Sequence, residues 1–104
     1  MATRRHMQRE WSPLQESTPG MQELVNKVRT QVEESLRMKF DVYEAVYYST
    51  QVIGGSTTFV KVYVGDDRYI HVRIFEELDG SVTLVAVEDH KKKDDPLTFF
   101  GPNL

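Results

Sequence analysis

The sequence predicts an α+β domain in which one long helix is gripped by a curled antiparallel β-sheet. Three observations carry that prediction. Apolar residues recur at three- and four-residue steps from Met21 to Leu36. After Lys39 the period changes to two and stays there to about residue 88. Glycine- and aspartate-rich breaks, "GGS", "GDDR" and "LDGS", punctuate the period-two region. A helical stripe followed by a run of alternating strands is the pattern of helix and sheet segregated along the chain.

The chain has 104 residues, which fits one domain able to bury a core without staples. Residues 1–16 lack periodicity and read as a flexible N-terminal arm, residues 17–100 as the domain and residues 101–104 as a short C-terminal extension. In the arm only Trp11 is large and apolar, so it is expected either to pack back on the domain or to meet a partner.

The helix opens at "STPG", where Thr18 can cap the backbone and Pro19 suits the first helical position. Met21, Leu24, Val25, Val28, Val32 and Leu36 form its apolar stripe, with Glu23, Lys27, Glu33, Glu34 and Arg37 off it. Four strands are expected at about 42–52, 56–64, 69–76 and 82–88. Thr58, Val60, Val62 and Val64 share one face with Ile70, Val72 and Ile74. Tyr47, Tyr63, Tyr69, His71 and Phe75 fall on the other, read as an outer aromatic and polar face. A single helix cannot cover four flat strands, so the sheet must curl round it.

Consecutive hairpins put alternate turns at opposite sheet ends. The turns near residues 53–56 and 78–81 therefore share one end. The first is unusual: Gln51-Val52-Ile53-Gly54-Gly55 carries two β-branched apolar residues and no charge. Turns more often carry Asn, Asp or Pro. Either Val52 and Ile53 fold inward against the helix end, or the two tips form an apolar wedge that enters a groove, with the glycines allowing a sharp turn.

Composition excludes several classes. There are 13 basic and 16 acidic residues, and the densest basic run, "KKKDD", neutralises itself, so no nucleic-acid partner is expected. With no cysteine there is neither a disulfide framework nor a thiolate site. No serine lies in G-x-S-x-G, and His6, His71 and His90 are too scattered to ligate a metal, so catalytic residues, cofactor and metal are all expected to be absent. No secretory leader and no membrane span is expected.

"QVIGG" resembles the first-hairpin motif of the cystatins. "EAVYYSTQVIGG", "FVKVYVGDDRYIHVRIFEEL" and "KKKDDPLTFF" extend the likeness to the stefins, the cystatins without disulfides, over roughly Glu16 to Phe100. The resemblance implies a cystatin-like fold and a cytoplasmic, reversible inhibitor of papain-like cysteine proteases such as cathepsins. Stefins block the active-site cleft with an N-terminal trunk and two hairpins. Carried onto this chain, those are Arg9, Glu10 and Trp11 in the trunk, Gln51, Val52, Ile53, Gly54 and Gly55 in the first hairpin, and Leu78 and Asp79 in the second. Two departures stand out. The trunk lacks the family's glycine, and Asp79 stands where proline is frequent. They give the alternative reading, a stefin-fold binding or structural protein with weak or lost inhibition. A monomer is expected, with the β-branched run around "QVIGG" leaving exchange of elements into a domain-swapped dimer open.

Overall fold

The computed structural model describes residues 12–52 and 55–102. In chain order these hold β1 (Gln15–Glu16), α1 (Pro19–Lys27), α2 (Arg29–Leu36), β2 (Glu44–Val52), β3 (Ser56–Tyr63), β4 (Tyr69–Glu76) and β5 (Val82–Lys91). The sheet order is β1-β2-β3-β4-β5, antiparallel throughout.

The helical region starts as its sequence dictates. Thr18 Oγ1 accepts from the Met21 N–H at 3.2 Å, and Pro19 occupies the first turn, where its missing N–H costs nothing. The expected single helix is interrupted at Val28, whose φ of −107° and ψ of 7° leave the helical region. Its N–H turns to the Val25 carbonyl, three residues back, at 3.3 Å. No proline or glycine marks the break. Val25, Val28 and Val32 are nevertheless all buried, so the interruption leaves the stripe on the sheet. Leu24 and those valines pack on Ala45, Val60, Val62, Ile70, Val72 and Ile74.

The sheet curls by means of irregular pairing. Ala45 faces Val62 and Tyr47 faces Lys61, so Val46 is an extra residue on β2. The β4–β5 ladder shifts between Tyr69 and His71 and again between Arg73 and Ile74. Extra residues on one strand bend and twist the pair, which lets five strands follow a narrow helical layer.

Two expectations need correction. The arm was to run free to residue 16, but Ser12–Glu16 lies along β2: Gln15 pairs with Tyr48, Glu16 with Tyr47, and the Ser17 N–H reaches the Val46 carbonyl at 2.9 Å. Backbone pairing holds this segment, helped by polar side chains such as the Tyr48 hydroxyl, which donates to Gln15 Oε1 at 3.2 Å. The outer face was read as aromatic and polar, yet Phe59, Lys61, His71 and Arg73 are buried there. The chain after β5 folds back over them. Lys61 Nζ donates to the carbonyls of Lys92, Lys93 and Asp95, and Arg73 Nη1 to those of Phe100 and Pro102 at 2.9 and 2.7 Å. Phe100 meets the Phe59 ring edge-on, with centroids 5.5 Å apart. Buried cations are tolerated here because carbonyl dipoles replace the lost water.

Candidate functional site

Register places both tips at one sheet end. Val52 pairs with Ser56, Ser56 with Glu76, and Glu76 with Val82. These four residues form one row across β2, β3, β4 and β5, beyond which the two turns project. The third turn lies at the far end, closed by the Val64 N–H to the Arg68 carbonyl at 3.0 Å.

The first tip carries exposed apolar surface. Val52 is 68% exposed, so it does not fold inward against the helix end. Gln51 is half-buried and pairs with Thr57. Ile53 and Gly54 lie outside the described residues. Gly55 has φ +135°, a region that side-chain-bearing residues rarely enter.

The second tip is built to hold one leucine outward. The Glu77 N–H donates to the Ser81 carbonyl at 2.8 Å, and the Gly80 N–H to the Glu77 carbonyl at 2.9 Å. Leu78, Asp79 and Gly80 thus form a three-residue hairpin loop, with Gly80 at φ +94° in the left-handed position that such loops require. Leu78 is 94% exposed. Asp79 Oδ1 accepts from the Ser81 N–H at 2.8 Å. Hydrogen bonding from Ser81 holds its carboxyl below the ordinary aspartate range. The aspartate is therefore a turn-former, closing the loop from inside as Asx turns do.

A third segment reaches the same end. The Ser12 N–H donates to the Thr50 carbonyl at 2.8 Å, the Thr50 N–H to Ser12 Oγ at 2.8 Å, and Ser49 Oγ to the Ser12 carbonyl at 2.7 Å. Ser12 is thereby pinned two residues from Val52. Arg9, Glu10 and Trp11 lie outside the described residues. Sequence reasoning missed Ser12 as an anchor, since its role rests on a hydroxyl and a backbone pairing without an apolar pattern.

What this end can do chemically is limited and clear. It presents Val52 and Leu78 to solvent, with the carboxylates of Glu77 and Asp79 beside the leucine. Among the described residues no cluster of three or more His, Asp or Glu could hold a metal ion. No helix of the described residues is long and apolar enough to cross a membrane.

Comparison with known proteins identifies the family. The family model described as the cystatin domain matches residues 10–95. Cystatin-A of Felis catus is 41% identical over 87 residues, covering 81% of this chain and 89% of that protein. Cystatin-B of Homo sapiens is 38% identical over 92 residues, covering 86% and 94%. Leukocyte cysteine proteinase inhibitor 1 of Sus scrofa is 38% identical over 87 residues, covering 81% and 84%.

Proposed function

Because the chain belongs to the cystatin family, we propose that it is a reversible inhibitor of papain-like cysteine proteases, acting by occlusion of the active-site cleft. It is a binding protein and not an enzyme. The observation that carries the mechanism is the pair of exposed apolar side chains, Val52 and Leu78, on two turns projecting from one row of the sheet.

Such an edge suits a long, narrow cleft. Val52 and Leu78 lose water on entry, each supporting association by about 1.5–3 kcal/mol if fully covered. Gln51, Ile53, Gly54 and Gly55 are assigned to the same contact as Val52. Turns enter tip first, so no extended peptide need lie across the protease nucleophile, and the inhibitor leaves uncut. Arg9, Glu10 and Trp11 are assigned to the trunk, which precedes Ser12 in the chain. Without a glycine there, the trunk is the weakest of the three contacts. Asp79 is assigned to loop closure more than to protease contact. We place the protein in the cytoplasm and take it to act as a monomer.

Titrating active papain with purified protein tests this. A stoichiometric fall in rate, with intact protein recovered and trypsin unaffected, is expected. Full activity of several papain-like enzymes at saturating protein would overturn inhibition and leave the alternative, a binding module on the same fold.

A further inference from the structure

The first hairpin needs glycine at 55 for a reason besides its φ. A Cβ at that position would stand 2.6 Å from Phe75 Cζ and 2.9 Å from Phe75 Cε1, with the Glu76 carbonyl oxygen at 3.2 Å. The Phe75 ring occupies the space over the Gly55 backbone. Phe75 pairs with Thr57 on one side and Thr83 on the other. It is therefore the last full ladder position before the row that bears both tips, and it sits next to Glu76, where the second hairpin begins.

We propose that Phe75 is a positioning residue for the inhibitory edge. Its ring braces the Gly55 limb of the first turn against β4, fixing the first tip's angle and its distance from Leu78. This rests on the inhibitory reading above and adds a residue to it that touches no protease. Val52 pairs with Ser56 at the base of this turn, and Gly55 is its described limb. The aromatic ring against Gly55 restrains that limb by contact, as Asp79 restrains the second turn by its hydrogen bond to Ser81. A braced tip loses little freedom on docking, so the brace is felt in affinity. Phe75 is only half-buried and lies at the sheet's end, away from the core of Val25, Val60 and Val72, so removing it leaves the domain folded.

The test uses Phe75→Ala, Phe75→Tyr and Gly55→Ala, singly and combined, with Tyr63→Ala as a control for loss of an outer-face aromatic at the far end. Dissociation from papain and backbone amide order parameters at Gly55 and Ser56 are measured alongside unfolding midpoints. Phe75→Ala should dissociate about tenfold faster, Phe75→Tyr should match wild type, and Tyr63→Ala should alter stability alone. Gly55→Ala should weaken binding less when Phe75 is already alanine, because the ring clash has gone. If Phe75→Ala leaves the order parameters at Gly55 unchanged, or if the two substitutions act additively on dissociation, the brace does not exist. The order parameters decide this even if wild-type protein fails to inhibit papain, which would refute the inhibitory reading separately.

Discussion

His71 should make this domain lose stability in acid, and the structure sets the size of the loss. The imidazole is buried on the outer sheet face, 1% exposed, beneath the chain that returns after β5, with Phe100 6.4 Å away. Burial, then the cations Lys61 and Lys91, push its pKa from the ordinary 6.5 to about 4, against an opposing pull from Asp95. Its cross-strand neighbours are Lys61 on β3 and Glu88 on β5. Above pH 6.5 the ring is neutral in both folded and unfolded chains, and it adds no pH dependence. Between pH 6.5 and 4 the unfolded chain binds a proton that the folded chain refuses, so stability falls as pH falls. At about 1.4 kcal/mol per unit, the interval is worth about 3 kcal/mol, a large share of a small domain's stability. Denaturant unfolding of wild type and His71→Leu at half-unit steps from pH 7 to pH 4 measures it. Wild type should lose stability steadily over that window, and the variant should lose about 3 kcal/mol less. Equal slopes for the two proteins would show that His71 is solvated and that the returning chain does not seal it.

Two further outcomes are expected. Phe100→Ala should destabilise the domain by about 3 kcal/mol, as loss of a buried phenylalanine does, because Phe100 covers Phe59 and its carbonyl holds Arg73; an unchanged unfolding midpoint would mean the returning chain is not docked. Asp79→Ala should speed dissociation from papain by freeing the second turn, whereas Asp79→Asn, which keeps an acceptor for the Ser81 N–H, should resemble wild type. If Asp79→Asn behaves like Asp79→Ala, the charge matters and not the turn.

Four of the strands and their buried face were legible because alternation is a period-two signal that one buried face enforces. Val60, Val62, Ile70, Val72 and Ile74 are buried on the expected face, and the two tips share the expected end. Thr18 and Pro19 announced the helix start for stereochemical reasons that need no tertiary context. What escaped had no such signal. Gln15 and Glu16 are polar in sequence and join the sheet through backbone pairing, with one side-chain bond from the Tyr48 hydroxyl to Gln15. The break at Val28 lacks a helix-breaking residue. The burial of Lys61 and Arg73 was not legible, because nothing in their own strands reveals that a distant segment returns to cap them with carbonyls. At the site, Val52, Gly55, Leu78 and Asp79 stood out through turn chemistry. Ser12 and Phe75 did not, since each acts by supporting a neighbour.

Ser12 is tied to Thr50 by backbone and hydroxyl bonds, and Gly55 is overlaid by Phe75 beside the second turn. On the inhibitory reading proposed above, Ser12 and the two tips set three contacts on one sheet end, and the edge would act as a trivalent ligand. When one contact lets go of a protease, the other two hold it at an effective concentration set by the sheet end and not by bulk solution. Rebinding then outpaces escape unless all three release together. A weak trunk is affordable on such an edge, because a contact too feeble to capture a protease still lengthens the stay of one already held.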